Sequence, residues 1–295
     1  MNCMKNSPIF YMGCKRRLIQ RGLCDLFPNN INTFVDMFSG SGIVSMNVNA
    51  QKYIINDIDI HLQDLYRLFH TFNAEEIIQS VDEIIDSYGL PREGTRRCNY
   101  SDKDKIAQYK SAYHKLRDDF NRTHNLMSFY TLMLFSFSQQ FRFNNKGDFN
   151  MPFGNDYFRD AYKEYIEDGC DFFSGMNVAI YNKDFRNVVD HHYKDKDCFF
   201  YCDPPYIDST AVYNERYNGW KENDLEDLLN LLCLIDNEGQ KFALSSVIKN
   251  KGKENVRLIQ WLNDTGYKVH NFSNFNYTAC GKGNARTQEV LITNY

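Results

Sequence analysis

The chain has no apolar run long enough to cross a bilayer. Its most apolar stretch, FYTLMLFSF at residues 129–137, falls far short of the roughly 20 residues that a membrane helix needs. The N-terminal residues carry charges with no apolar stretch behind them, so no signal peptide is expected there. The nine cysteines include no Cys-x-x-Cys pair and no regular spacing. That pattern points to reduced thiols in a cytoplasm rather than to a disulfide frame or a zinc site. His191 and His192 are adjacent and point differently, so no metal is expected. There is no internal repeat and no low-complexity tract. Nor is there an excess of positive charge: 34 Lys and Arg stand against 38 Asp and Glu, a net charge of −4. This excludes a protein that coats polyanions through bulk charge, while leaving room for a local basic surface.

What is present is a globular composition, 43% hydrophobic and 24% charged over 295 residues, enough to bury a sizeable core. Aromatic residues are abundant, with 23 Phe and 20 Tyr against 2 Trp. They read either as an aromatic-rich core or as rings of which some stack on a planar ligand.

Short apolar runs alternate with helical stretches, the pattern of an α/β sheet. Residues 33–38 (TFVDMF) read as a buried strand ending in the turn Gly40-Ser41-Gly42, followed by a helix over 43–51. Residues 52–55 (KYII) read as a second strand ending at Asn56-Asp57. This strand, glycine turn, helix, strand and acid order is that of a nucleotide-binding half. A mostly amphipathic helical region follows over 60–88. Between Arg92 and Arg122 nine basic and five acidic residues leave a local excess of four positive charges, either a solvated helical face or a phosphate-facing surface. Strand signals return at 178–181, 198–202, 241–247, 267–272 and 289–293, with a helix at 222–235. The expected organisation is a sheet domain of residues 1–59 and 168–295, split by a largely helical insertion of residues 60–167.

The strongest chemical signal is Asp203-Pro204-Pro205-Tyr206, directly after the apolar strand CFFYC. Two prolines cannot continue a strand, because they lack the N–H donors of the ladder. They make a stiff exit at a strand's carboxyl end, where α/β proteins place ligands. An acid and a carbonyl there can accept both hydrogens of a ring's exocyclic amine while Tyr206 stacks on the ring. The second motif is Asp36-Met37-Phe38-Ser39-Gly40-Ser41-Gly42, with Asp57 placed for a ribose hydroxyl pair. The dinucleotide fingerprint would need a further glycine where Ser45 stands, and no phosphate-cradling lysine follows. The cofactor reads as a nucleoside derivative without a diphosphate.

Taken together these residues resemble the Dam-type family of adenine-N6 DNA methyltransferases in its alpha arrangement, most nearly the T-even phage Dam enzymes. Tyr11, Gly13 and Lys15 sit in a segment similar to the family's N-terminal cofactor-binding segment, with Cys14 where Gly is common. Residues 141–154 (FRFNNKGDFNMPFG) resemble its recognition hairpin, and Asn182-Lys183-Asp184-Phe185 the segment that holds the cofactor's adenine. The resemblance implies a Rossmann-like seven-stranded mixed sheet and S-adenosylmethionine as cofactor. Tyr11, Gly13, Lys15, Asp36, Phe38, Gly40, Asp57, Asp184 and Phe185 would hold that cofactor. Asp203, Pro204, Pro205 and Tyr206 would carry catalysis on adenine in duplex DNA, within GATC, after base flipping. Arg142, Asn144, Met151 and Pro152 would contact DNA; a structural Arg–Asp pair is the alternative for Arg142. The setting implied is a bacterial or phage-infected cytoplasm, as in restriction-modification. Two rivals remain open: an exocyclic-amine methyltransferase on RNA adenine or cytosine N4, and a catalytically silent DNA-binding protein on the same fold.

Overall fold

The structure, a computed structural model, describes residues 4–92, 103–154, 156–206, 219–250, 252–272 and 287–295. Its residues gather in two compact units. The first comprises Met1–Cys14, Gly40–Met46 and Ile60–Met176, and the second Lys15–Ser39, Asn47–Asp59 and Asn177–Tyr295. Among the described residues no helix is long and apolar enough to cross a membrane.

The second unit is built on one sheet. Its strands are β1 (Ile31–Asp36), β2 (Ala50–Asn56), β3 (Val178–Tyr181), β4 (Cys198–Cys202), β5 (Lys241–Asn250), β6 (Lys253–Glu254), β7 (Lys268–Asn271) and β8 (Gln288–Thr293). Seven of them lie in the order β3-β2-β1-β4-β5-β8-β7, and the two-residue β6 pairs with β5. The five strands β1 to β5 pair in parallel, and β8 is antiparallel to both β5 and β7. This is the mixed methyltransferase-type sheet expected from the sequence. A central parallel strand is covered on both faces, which is why β4 is an unbroken apolar run with every residue buried. On one face Val35, Phe200, Leu244 and Ile292 pack with Leu225, Leu228, Leu232 and Ile235 of the helix Glu222–Asn237. Those helix positions recur at three- and four-residue intervals, so they line one stripe. The other face is aromatic, with Phe27, Phe34, Phe199 and Tyr201 in ring contact. Burying Phe200, whose exposure is zero, contributes about 2–3 kcal/mol.

The order of the strands reverses at β1. From there the chain runs outward to β2 and β3, then returns to β4 on the other side. The carboxyl ends of β1 and β4 therefore face a crevice, with Asp36 in register with Tyr201.

The helix expected over 43–51 is shorter: it spans Ile43–Met46, and β2 already begins at Ala50. The single amphipathic region at 60–88 is two helices, Ile60–Thr71 and Ala74–Tyr88. Asn73 breaks it by forming a capping box with Glu76, which satisfies amides that a continuous helix would have bonded internally. Both helices belong to the first unit, together with Lys103–Thr123, Leu126–Phe135 and Asp160–Phe173. Leu126–Phe135 accounts for the most apolar stretch of the sequence: every residue from Phe129 to Phe135 is buried, so it is a core helix. The basic run is partly neutralised in place. Arg92 pairs with Asp82 and Asp86, Arg117 with Asp118 and Arg122 with Asp119. Arg96 and Arg97 lie outside the described residues.

Candidate active site

In the second unit, β4 ends at Cys202, and Asp203 is the first residue beyond it. The Lys15 ammonium meets the Asp203 carboxylate at 2.8 Å and Glu289 of β8 at 3.5 Å. Lys15 is only 4% exposed and Glu289 2%. The Tyr206 hydroxyl donates to Glu289 Oε1 at 3.1 Å, and Lys15 Nζ lies 5.3 Å from the Tyr206 ring centroid. Behind them the Tyr201 hydroxyl and Ser245 share a hydrogen bond of 2.9 Å. Burial pushes the Asp203 carboxyl up to about 6, against the downward pull of Lys15. Burial works against the Lys15 charge too, but Asp203, Tyr206 and Glu289 hold its ammonium well above the ordinary value. Burial likewise drives the Tyr206 phenol upward, so it is neutral at physiological pH. The result is one buried cation between two carboxylates, with a neutral ring beside them.

The β1 exit lies close by in the same unit. Ser39 Oγ donates to the Asp36 carbonyl and accepts from the Asn56 amide. The buried Asn56 side chain donates to the carbonyls of Met37 and Lys183 at 3.0 Å each and accepts from the Lys183 amide at 2.9 Å. One amide therefore ties the ends of β1, β2 and β3 together. Asp57 follows, half-buried, with Oδ1 accepting from the Asp59 amide. Phe38 lies 5.4 Å from Phe185 and 5.6 Å from Trp220, and Phe185 lies 5.5 Å from Trp220. Asp184 has a structural use that the sequence did not reveal. Its carboxylate caps the helix Phe185–His192 and pairs with Arg186, which also binds Asp224 and Asp227. Lys15, expected among the cofactor contacts, pairs with the acid beyond β4.

Tyr11, Gly13 and Gly40 belong to the first unit. A side chain at Gly40 would come within 3.0 Å of the Tyr11 ring, and its φ of +51° favours glycine. The residues expected to contact DNA are also in this unit. Phe143 and Phe149 pair across a hairpin whose turn is closed by the Asn144 side chain, which accepts from the amides of Lys146 and Asp148. Arg142 is held by Asn150, through Nε at 2.7 Å to Oδ1 and Nη2 at 3.2 Å to the carbonyl, rather than by an aspartate. Arg142, Asn144, Lys146 and Asn150 line an open groove on this hairpin. The backbone carbonyls of Met151 and Pro152 accept from Tyr113 and Phe137, so both residues anchor the hairpin.

Sequence reasoning missed Glu289, Asn56 and Trp220. Glu289 had a signal: an acid heading the otherwise apolar run EVLIT. A further cluster, His192, Asp195 and Cys198, has its candidate ligand atoms within 4.8 Å of one another. The His192–Asp195 separation of 2.7 Å is a hydrogen bond. Two ligands on one tetrahedral ion would stand about 3.3 Å apart.

The family described as D12 class N6 adenine-specific DNA methyltransferase matches residues 11–275. The chain is 34% identical over 299 residues to the modification methylase StsI of Streptococcus sanguinis, covering 98% of this chain and 43% of that one. It is 32% identical over 300 residues to the type II methyltransferase M.FokI of Planomicrobium okeanokoites, again 43% of that protein's length. With a DNA adenine methylase of Haemophilus influenzae it shares 30% identity over 230 residues, 75% of this chain and 70% of that one. The chain thus spans less than half the length of the first two relatives.

Proposed function

This chain belongs to the D12 class of N6 adenine-specific DNA methyltransferases, and from that premise we propose that it transfers a methyl group from S-adenosylmethionine to N6 of adenine in duplex DNA. One observation carries the proposal: a half-buried acid, ion-paired to a buried lysine at the exit of β4, followed by Pro204 and flanked by Tyr206, beside the strand where the order reverses. The adenine N6 lone pair is delocalised into its ring and is a weak nucleophile. The Asp203 carboxylate and the Pro204 carbonyl accept its two hydrogens, which moves electron density onto nitrogen and favours the tetrahedral geometry of attack. These acceptors are fixed before the reaction, so they stabilise the positive charge as it develops. Pro204 and Pro205 hold them stiffly, and Tyr206 stacks on the base. An acid recessed at a strand exit cannot reach a base inside a duplex, which supports extrusion of the target nucleotide.

The residues of the second unit fit a nucleoside cofactor: ring faces at Phe38, Phe185 and Trp220 for a base, and a half-buried carboxylate at Asp57 for ribose hydroxyls. When bound, S-adenosylmethionine supplies a methyl group on a positively charged sulfur. Asp36 and Phe38 shape its seat from β1. Asp184 contributes by fixing the start of its helix and so the pose of Phe185. Tyr11, Gly13 and Gly40 complete the reading from the sequence resemblance. The first unit, with Arg142, Asn144, Met151 and Pro152 on or beside its hairpin, is the target-recognition part, and the sheet unit is catalytic. The target is the adenine of GATC, a reading that rests, like the nearness to T-even phage enzymes, on the motifs of the sequence. Relatives named as modification methylases support a place in restriction-modification.

The test uses labelled S-adenosylmethionine and unmethylated DNA, digested afterwards to nucleosides. Label is expected in N6-methyladenine; label in N4-methylcytosine, in RNA alone or nowhere overturns the proposal. Asp203→Ala is expected to abolish transfer while DNA binding survives.

A further inference from the structure

The transfer chemistry uses Asp203 and Tyr206 but leaves unexplained why a buried lysine and a second buried carboxylate stand behind them. Lys15 arrives from the N-terminal region and Glu289 from β8, the antiparallel strand beside β5. Burying two charges is costly unless each is paired. Their pairing has a direction. Lys15 lies nearer Asp203, at 2.8 Å, than Glu289, at 3.5 Å. Glu289 holds the Tyr206 hydroxyl at 3.1 Å on the same oxygen that faces Lys15. Lys15 thus grips the acid, and Glu289 grips both Lys15 and the far end of the stacking ring.

We propose that Lys15 and Glu289 are a positioning pair: Lys15 holds the Asp203 carboxylate ionised and aimed, and Glu289 fixes Lys15 and Tyr206 in turn. This rests on the methyltransferase reading above and gives Lys15 a role other than cofactor contact. Two opposed charges act on one acid, so their removal has opposite consequences. Among the described residues, the titratable groups that face Asp203 are Lys15, Glu289, Tyr206, Tyr201 and Cys202. Asp36 of β1 acts on the neighbouring Tyr201 and Cys202. Lys15 lowers the Asp203 pKa and Glu289 raises it, about a value near 6. Only the ionised acid accepts the amine hydrogens, so activity is lost as pH falls through that value.

The experiment measures methyl transfer at saturating labelled S-adenosylmethionine and duplex DNA, from about pH 5 to about pH 9, as a bell or half-bell profile. For the unsubstituted protein the acid limb is expected to have its midpoint near 6. Lys15→Met is expected to move that midpoint up by about 1 unit or more, the usual effect of losing an opposite charge within 4–6 Å. Lys15→Arg is expected to restore it, while Glu289→Gln moves it down. A merely structural role would lower the rate of all three variants without opposed shifts. Unmoved midpoints, or midpoints that move the same way, overturn the proposal. Circular dichroism reports folding; should Lys15→Met fail to fold, Glu289→Gln decides alone, and the absence of a downward shift overturns the pair. An unsubstituted protein that methylates no adenine at any pH overturns the methyltransferase reading instead.

Discussion

Asn56 is the side chain whose loss should be felt most widely in the second unit. It is 1% exposed and makes three hydrogen bonds, two to the carbonyls of Met37 and Lys183 and one from the Lys183 amide. Asn56→Leu keeps the branched shape and the number of side-chain heavy atoms and removes all three. At about 1 kcal/mol net per bond, with a further 1–3 kcal/mol for partners left buried and unpaired, the loss should be about 4–6 kcal/mol. That is a large fraction of a typical domain stability of about 5–15 kcal/mol. The cost should appear as a lower urea midpoint with an unchanged slope when unfolding is followed by circular dichroism. Because the bonds join the segment before Phe38 to the segment before Phe185, affinity for S-adenosylmethionine should fall in parallel, as read by calorimetry. Asn56→Asp keeps the acceptor of the Lys183 amide and should lie between the two. A Leu variant within about 1 kcal/mol of the parent, the worth of one bond, would refute the idea that this amide joins the strand ends.

Three further outcomes are expected. Tyr206→Phe keeps the ring and loses the hydroxyl with its bond to Glu289, so kcat should drop less than about tenfold, whereas Tyr206→Ala loses base stacking of about 1–3 kcal/mol and should drop further; single-turnover rates compare them. Arg142→Ala should reduce discrimination by about 1–3 kcal/mol at one base of the target while leaving the chemical step on the preferred site less affected, as tested with duplexes substituted one base at a time. Gly154→Ala would put a methyl group 2.2 Å from the Ser136 carbonyl oxygen, so it should cost about 2 kcal/mol or more in a thermal melt; a variant as stable as the parent would mean that the backbones there are not held so close.

Most of the sheet could be read from the sequence because parallel strands leave unbroken apolar runs. Residues 178–181 and 198–202 coincide with β3 and β4. The boundaries that differ are those where a side chain overrides periodicity. The Asn73 capping box divides a helix whose hydrophobic pattern continues across it. The turn after Met46 shortens another. At the site, Asp203 and Tyr206 stand out because the two prolines mark a strand exit. Lys15 was visible as a motif residue but not its partner, since an ion pair between residues so distant in sequence leaves no local pattern. Glu289 was the one charged residue in an otherwise uncharged strand, a signal that needs the strand's burial to be understood. Trp220 looks like any loop aromatic until Phe38 and Phe185 are seen beside it.

The ion cluster has a consequence for how the protein comes into being. Lys15 precedes every strand of the sheet in the chain, and Glu289 follows only after every strand that β8 pairs with. Contacts of such long separation form late, since the chain entropy of closing them must be met before they return any stability. A nascent chain that already displays Asp203 therefore lacks the clamp that readies it. Methylation should begin only once β8 has been made and has joined the sheet, and proteolytic fragments lacking β8 should be silent rather than weakly active.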